Sequence, residues 1–309
     1  MEYSSGKKAQ RRCAICAAVL LCACAILNSY TRAEAAAAPT VPVGAQYDST
    51  HVYLATPAAL DAFVKSFVAT FGGKPAARIT ANVLPVPSST IFQAVLAPVG
   101  ILSVFAYQTP VPYPFGLERT GYLVTDMDQA LKAARAAGAE VIVEKFKDAL
   151  GYDAVIQWPG GVKMQLYWHF TPPSYAPLET IPDNRVYVSP DAADIFARSF
   201  IRFSRGKVVA DEKQADAGEI GRRGATYRRI DVESDFGKMR VLVSDGHLPY
   251  PYGYELTGYE VKDLAATLAL ATAAGAKILA PTFDGRDRST AIMQFPGGYI
   301  AEIHALRKQ

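Results

Sequence analysis

The chain has 309 residues, of which 50% are hydrophobic and 20% are charged, and its formal net charge is +3. Because the first 35 residues account for that whole charge, the rest of the chain is neutral, which argues against general attraction to nucleic acid or anionic membranes. All four cysteines lie between Cys13 and Cys24, so the rest of the chain has no disulfide, thiolate nucleophile or cysteine-based zinc site.

The N-terminal segment has the features of an export signal. A basic head that ends at Arg12 precedes the uncharged apolar run CAICAAVLLCACAIL, which is too short to cross a bilayer comfortably. Ala33-Glu34-Ala35 then matches the small-x-small pattern that signal peptidases cut. We therefore predict a cleaved export signal at residues 1–35, a flexible segment at residues 36–47, and a periplasmic or secreted mature protein.

Two alternatives remain open for this segment. The sequence LCAC, which ends at Cys24, resembles a bacterial lipobox and predicts a lipoprotein anchored at Cys24. The Arg11-Arg12 pair resembles a twin-arginine signal, although its flanking residues do not match. Apart from an anchor at Cys24, we expect no membrane partner.

The rest of the chain is internally duplicated. The stretch VPYPFGLERTGYLVTD at residues 111–126 recurs as LPYPYGYELTGYEVKD at residues 248–263, and ten of the sixteen positions are identical. The PGG sequences at residues 159–161 and 296–298 keep the same spacing of 137 residues. Self-similarity at a fixed spacing indicates a repeated architecture.

The predicted elements of the first half form two similar units. HVYLATP and GILSVFAYQ are typical of strands, and residues 62–74 between them have apolar side chains at helical spacing. The second unit begins with the strand TGYLVTD, after which Asp126 offers an N-cap for a helix that Gly138 ends. Three strands follow, AEVIVEKF, DAVIQWPGG and VKMQLYWHF, so the order is βαβββ.

The same order returns in the second half. RVYVSP, IFARSFIRFSRGK and GKMRVLVSD match the first unit, and residues 257–306 match the second. The stretch TPPSYAPLETIPD at residues 171–183 is typical of a linker. We therefore predict an α+β fold of four βαβββ modules, paired into two domains by internal duplication, with the first domain at residues 48–170 and the second at residues 184–309.

Four such modules resemble the vicinal oxygen chelate superfamily, which includes glyoxalase I, bleomycin-resistance proteins and extradiol dioxygenases. The resemblance is carried by the V-x-D-[LM] turns at residues 124–127 and 261–264, the AAGA helix ends, and the PGG-xxx-[QE]-[LI] motifs, in which Gln165 and Glu302 stand in the glutamate position. It implies that each pair of modules closes into a cup whose concave face holds a metal or a ligand. One fold hosts many chemistries, so the resemblance indicates the fold more than the reaction.

The strand period of two decides which side chains would face these cups. We expect Val52 and Leu54 to pack on a helix, so that the alternate residues of the same strand point inward. The residues expected to face the first cup are His51, Tyr53, Gln165, Tyr167 and His169, and those expected to face the second are Arg185, Tyr187, Glu302 and His304.

The resemblance also implies a metal site. In the superfamily, a histidine from a first strand and a glutamate or glutamine from a last strand bind a metal. A divalent ion (Zn, Fe, Mn or Ni) would then lie in the first cup, with His51, Gln165 and Glu118 as the metal ligands. The set is incomplete because Arg119 holds the second-module ligand position, and neither cup has the His-His-Glu set of extradiol dioxygenases, which argues against ring cleavage. In the second cup Arg185 replaces His51, and its fixed charge would repel a metal.

The other candidate residues are predicted to act on or bind a substrate. We predict Glu302 and His304 as catalytic residues, and the alternative is that they form an ion-pair set across the cup with Arg185. Aromatic rings and a buried guanidinium suit an oxygen-rich organic ligand. The predicted substrate-binding residues are Tyr53, Tyr167, His169, Arg185 and Tyr187.

Two classes of function follow. The first is an exported glyoxalase-like enzyme, a metal-dependent lyase or isomerase that acts on a small oxygen-rich substrate. The second is a metal-free protein that binds and sequesters a small molecule, as bleomycin-resistance proteins are thought to do. The incomplete ligand sets favour the second class, whereas His51 with Gln165 and Glu302 with His304 favour the first. A phosphate-binding loop, a G-x-S-x-G elbow and an H-E-x-x-H helix are absent from the sequence.

Overall fold

The computed structural model describes residue 41 and residues 43–46, 50–116, 120–176, 178–253 and 255–307. The predicted export signal, Cys24 and Glu118 lie outside these residues. Within the described part of the chain, no helix is both long and apolar enough to cross a membrane. The described residues all belong to one compact unit.

The first half of the described chain contains two successive modules. Their elements are β1 (Thr50–Leu54), α1 (Pro57–Phe71), β2 (Lys74–Pro75), β3 (Ile79–Ala81), β4 (Thr90–Ala97), β5 (Gly100–Tyr107), β6 (Thr120–Leu123), α2 (Met127–Ala136), β7 (Glu140–Lys147), β8 (Gly151–Gln157) and β9 (Lys163–His169). The predicted strands and helices of this half are all present, although β2, β3 and β4 had no predicted bounds and α1 begins five residues before its predicted start at Ala62. Thr56 explains the difference, because its side chain caps the helix by accepting a hydrogen bond from Ala59 N and Pro57 follows in the first turn.

The second half repeats this plan and adds one short helix. Its elements are β10 (Asp183–Val188), α3 (Ala193–Ser204), β11 (Lys207–Asp216), a 3₁₀ helix (Ala217–Ile220), β12 (Thr226–Ser234), β13 (Gly237–Val243), β14 (Glu255–Glu260), α4 (Leu264–Ala273), β15 (Lys277–Asp284), β16 (Arg288–Gln294) and β17 (Ile300–Leu306). The first strand, β10, begins at Asp183, which is the last residue of the predicted linker.

Each half forms one sheet, and the two sheets have the same strand order. The first sheet runs β2-β4-β5-β1-β6-β9-β8-β7, with β3 also paired to β4, and the second runs β11-β12-β13-β10-β14-β17-β16-β15. In both sheets the first strands of two modules lie side by side and antiparallel, β1 with β6 and β10 with β14. This order confirms the predicted α+β fold of four modules paired into two cup-shaped domains. The exact domain boundaries stay a prediction.

The helices lie between the two sheets. Helix α1 packs against α4, and Phe63 and Phe67 of α1 contact the ring of Phe295 from the last module. Helix α2 packs against α3, and Trp158 contacts Phe200 and Phe203 of α3. The first module therefore shares a core with the fourth, and the second shares a core with the third. This packing leaves the opposite, concave face of each sheet available for a site.

Candidate functional site

The predicted alternation of side chains holds in both sheets. Val52 and Leu54 are buried in the core beneath α1, whereas His51 and Tyr53 point to the concave face of the first sheet. On β9, Met164 and Leu166 are buried on the helix side. Gln165, Tyr167 and His169 line the concave side together with His51 and Tyr53. A side-chain period of two thus brings five of the predicted site residues into one cavity.

This cavity is the hollow of the first cup. About 60 Å³ of it is accessible to the centre of a water molecule, and the cavity opens to solvent. Its two sides differ in chemistry because they come from different modules. The first module supplies mainly aromatic and aliphatic side chains, whereas the second supplies most of the polar side chains. A ligand in this cavity would meet an apolar wall on one side and hydrogen-bonding groups on the other.

The apolar wall is a ladder of rings from β1, β4 and β5. Tyr53 stacks between Phe105 and Tyr107, with ring centroids 5.2 Å and 5.9 Å apart and interplanar angles of 16° and 9°. Phe92 lies against Phe105 at 5.4 Å, and the edge of His51 meets Phe105 at 5.8 Å. Such packing fixes the rings in place and gives a rigid surface for a planar or apolar group.

The polar side is centred on Gly121 of β6. A Cβ atom at Gly121 would lie 2.8 Å from His51 Nε2 and 3.2 Å from the ring of Tyr167, so the glycine leaves the space that these side chains use. Gln165 is the register partner of Gly121 on the neighbouring strand β9. His51 and Gln165 therefore flank the same point of the sheet.

The cavity lining also contains the ionisable side chains of Asp148, Asp153 and His169. Asp153 of β8 is 9% exposed, lines the cavity and is the register partner of Tyr167. Burial lowers the pKa of His169, and the negative charge of Asp148 opposes that effect only in part. The Nε2 atom of His169 is buried and accepts or donates no hydrogen bond among the described residues. This end of the cavity is thus polar. Burial favours the neutral form of the His169 imidazole.

The described residues of the first cup do not form a complete metal site. Among the described residues, no group of three or more His, Cys, Asp or Glu side chains is placed to hold a metal ion. His51 supplies one nitrogen and Gln165 one weaker amide oxygen, while Glu118 lies outside the described residues. The described donors therefore do not complete a ligand set, and the predicted divalent metal stays a prediction.

The second cup is filled by its own side chains. The 3₁₀ helix lies within it and packs against β15, so closely that a Cβ atom at Gly218 would lie 2.3 Å from the ring of Phe283. Tyr187, which corresponds to Tyr53, is 3% exposed and its hydroxyl lies 3.0 Å from that of Tyr250. Apolar residues of the 3₁₀ helix, β13 and β16 complete this packing. The protein itself thus occupies the centre of this cup, and a polar pocket lined by Glu219, Arg229 and Thr290 remains beside the 3₁₀ helix.

Ion pairs occupy the centre of the second cup. Arg185 is fully buried, and its Nη1 and Nη2 atoms lie 3.4 Å from Glu302 Oε1 and 3.9 Å from Glu219 Oε2. Glu302 also accepts a hydrogen bond from Thr290 and lies 2.8 Å from His304 Nδ1. Burial by itself would raise the pKa of Glu302, but the charges of Arg185 and His304 outweigh it and hold the pKa far below its usual range.

The surrounding charges are also paired. Glu219 accepts hydrogen bonds from Arg229 and Arg240, at 2.6 Å and 3.1 Å. Asp183 accepts one from Arg288 at 2.7 Å. These contacts match the ion-pair alternative for Glu302, His304 and Arg185, and the prediction that Glu302 and His304 are catalytic stays untested.

The structure therefore divides the predicted site residues between two places. The residues that meet in the open first cup are His51, Tyr53, Gln165, Tyr167 and His169. The residues that lie inside the filled second cup are Arg185, Tyr187, Glu302 and His304. The sequence interpretation did not single out Asp153 or the ring ladder of Phe92, Phe105 and Tyr107. The position of Asp153 in the cavity could have been suspected from the sequence, because it is a charged residue at the start of the otherwise apolar strand sequence DAVI.

Comparisons with known proteins concern the fold. No protein-family model matches the sequence, and no curated protein matches it significantly. The structure is similar to a substituted 4-hydroxymandelate synthase from Streptomyces coelicolor, with a TM-score of 0.57 and 13% identity over 87% of this chain and 93% of that one. It is also similar to the Mn(II)-bound glyoxalase from Novosphingobium aromaticivorans, with a TM-score of 0.54 and 13% identity over 86% of this chain and 83% of that one.

A third similar structure is 2,2',3-trihydroxybiphenyl 1,2-dioxygenase from Sphingomonas wittichii strain RW1, with a TM-score of 0.52 and 12% identity over 84% of this chain and 91% of that one. All three are vicinal oxygen chelate proteins. The predicted resemblance is thereby confirmed at the level of the fold. Identities this low do not transfer a reaction or a substrate.

Proposed function

We propose that this chain, which has the vicinal oxygen chelate fold, binds a small and partly aromatic organic molecule in its first cup. The observation that carries the proposal is the contrast between the two cups. The first is a hollow with a rigid ring ladder on one side and polar groups on the other. In the second, the 3₁₀ helix and ion pairs occupy the centre, and the pocket beside them is lined mainly by charged side chains rather than by rings.

The proposal does not depend on a metal. Pockets for small organic molecules are mostly apolar, with a few polar groups that fix the orientation of the ligand. The first cup meets that description with described residues alone, whereas the described donors do not complete a metal site. An exported protein with such a pocket suits the sequestration of a small molecule outside the cytoplasm, and the predicted export signal supports this location.

The internal duplication offers a matched test of which cup binds. Tyr53 and Tyr187 hold corresponding positions on β1 and β10, so Tyr53→Leu and Tyr187→Leu remove the same ring from the two cups. The probe is a neutral naphthylamine dye whose fluorescence rises in apolar pockets, added to the purified full chain. We expect Tyr53→Leu to weaken dye binding about threefold to tenfold, since aromatic contacts are worth about 0.5–1.5 kcal/mol beyond their buried area.

Tyr187→Leu serves as the control. It should leave the affinity for the dye unchanged while lowering thermal stability, because Tyr187 is buried and hydrogen-bonded to Tyr250. Equal losses of affinity in both variants, or a loss in Tyr187→Leu alone, would contradict the assignment to the first cup.

A second candidate is the predicted metal-dependent lyase or isomerase. It is favoured by the placement of His51 and Gln165 on either side of Gly121. A divalent ion held there would supply Lewis acidity to two neighbouring substrate oxygens. Metal analysis of the purified full chain tests this candidate. Stoichiometric metal that is lost in His51→Ala and retained in Glu302→Ala would support it, and no metal in either the unaltered chain or metal-soaked protein would end it.

A further inference from the structure

We infer that the ligand of the first cup is a neutral, planar molecule with an amide-type edge, in which a hydrogen-bond donor stands beside an acceptor on a single ring. Aromatic carboxamides and lactams have this edge. The inference rests on the proposed function, because it names the chemical class that the same cavity selects. It follows from the side chain of Gln165, which lines the cavity.

The neighbouring strands leave the amide of Gln165 without a partner. Gln165 lies on β9, where its register partners are Gly121 on β6 and Val155 on β8. Neither of these residues has a polar side-chain atom, so the positions next to Gln165 across the sheet supply no side-chain hydrogen bond. Within the described part of the chain, the half-buried amide of Gln165 forms no hydrogen bond. Its donor and its acceptor are therefore both available to a ligand.

A glutamine amide selects the groups that it meets. Its carbonyl oxygen accepts, its NH₂ group donates, and both lie in one plane. A ligand amide presents the opposite pair, so the two edges form two parallel hydrogen bonds, as a glutamine does with the edge of adenine. A ligand that has only an acceptor would leave the carbonyl oxygen of Gln165 unpaired once water is displaced, which costs affinity.

The charges of the described lining favour a neutral ligand. Gln165 is uncharged, and burial lowers the pKa of His169, so this imidazole is mostly neutral near pH 7. The carboxylates of Asp148 and Asp153 each interact with other groups of the chain, and both would repel an anion. The hydrogen bonds of an uncharged amide therefore suit this lining better than a carboxylate does.

The wall and the size of the cavity set the shape of the ligand. The stack of Tyr53, Phe105 and Tyr107 forms an apolar wall on the side of the first module. The volume of about 60 Å³ that is accessible to the centre of a water molecule holds about four to six waters, which is the space of one ring with a small substituent. A conjugated amide lies near the plane of its ring, so one flat molecule contacts the wall and Gln165 together.

Four probes of nearly equal size test the edge of the ligand. Each is a phenyl ring with one small planar substituent. Benzamide has a donor and an acceptor, and acetophenone has only an acceptor. Benzoate has acceptors and a negative charge, whereas benzamidine has donors and a positive charge. Each probe is titrated against the purified full chain near pH 7, with a chelator present, in competition with the neutral naphthylamine dye. We expect benzamide to bind most tightly, about threefold to tenfold more tightly than acetophenone.

Replacement of Gln165 should change the preference in two defined ways. Gln165→Met has a similar length and removes both polar atoms, so the preference for benzamide over acetophenone should fall below about twofold. Gln165→Glu replaces the donor by a negative charge, so benzamidine should become the tightest probe by about tenfold. A reversed preference requires an intact cavity, so a loss of the fold cannot produce it. The matched control is Gln157→Glu, which adds the same charge on β8 outside the cavity lining and should leave the order of the probes unchanged.

The outcomes separate this inference from the proposed function. Equal binding of benzamide and acetophenone, or tightest binding of benzoate or benzamidine to the unaltered chain, would overturn the amide edge, while binding of the dye would leave the proposed site standing. An unchanged order of probes in Gln165→Glu would also overturn the amide edge. Failure of the dye and of all four probes to bind would instead overturn the proposed function itself.

Discussion

Replacement of Arg185 by methionine tests whether the second cup is held together by its buried charges. The guanidinium of Arg185 is fully buried and lies between Glu302 and Glu219. Methionine has a similar length and removes the charge, so Arg185→Met leaves two carboxylates in the interior of the cup. Glu219 keeps Arg229 and Arg240 as partners, whereas Glu302 keeps only Thr290 and His304 among the described contacts.

The size of the effect follows from these distances. At 3.4 Å and 3.9 Å, with an effective dielectric constant of about 20, the two attractions are worth roughly 5 and 4 kcal/mol. The cost of burying the guanidinium offsets much of this gain. Removing one partner of a buried pair nevertheless costs about 3–5 kcal/mol, because the other charge stays buried without compensation. We expect Arg185→Met to lower the free energy of unfolding by that amount near neutral pH.

The effect should also depend on pH. The pKa of Glu302 is lowered in the folded protein, so the ionised carboxylate contributes stability at pH values above its unfolded pKa of about 4.3. That contribution is lost as the pH falls through the acid range. In Arg185→Met the burial of Glu302 is no longer offset by the guanidinium, so its pKa rises. The difference between the two proteins should therefore be largest at neutral pH and shrink towards pH 4.

Urea unfolding measures this difference. Fluorescence of Trp158, which is buried between the sheets, reports the loss of the shared core. The control is Arg135→Met, which breaks an exposed pair with Glu144 and should cost less than about 1 kcal/mol. Adding Glu302→Gln to Arg185→Met should restore at least half of the loss. A cost no larger than that of Arg135→Met, or a cost that does not change with pH, would refute this account of the second cup.

Three further predictions concern the glycines, an imidazole and the N-terminus. Gly121→Ala should weaken binding of the neutral dye with little loss of stability, because the new methyl displaces His51. Gly258→Ala should leave dye binding intact and lower the free energy of unfolding by about 1–3 kcal/mol, because its methyl would lie 2.6 Å from Glu302 Oε2. Titration of His169 by NMR should give a pKa below about 6.5, and Asp148→Asn should lower that pKa further. Because the unfolded chain then binds the proton more readily than the folded one, stability should fall as the pH drops below about 6.5. N-terminal sequencing of the protein from the cell envelope should begin near Ala36, and an intact Met1 in the cytoplasm would contradict export.

Much of the fold could be read from local patterns. The duplicated stretch at residues 111–126 and 248–263 predicted two equivalent halves, and the two sheets have the same strand order. Alternation along β1 and β9 also predicted which side chains reach the concave face. These features depend on spacing along the chain, and a strand period of two acts in the same way wherever the strand lies.

The sequence by itself therefore determined the modules, their pairing and the inward face of each strand. Only the tertiary structure decided which cup is open. Glu302 in sequence was equally consistent with a catalytic group and with an ion pair, because its role depends on Arg185 and on Glu219 from the 3₁₀ helix, which are distant along the chain. Phe92 and Phe105 likewise had the pattern of ordinary core residues, and only the fold placed them on the wall of the first cup. Burial and charge pairing arise from contacts between distant segments, and local periodicity carries no information about them.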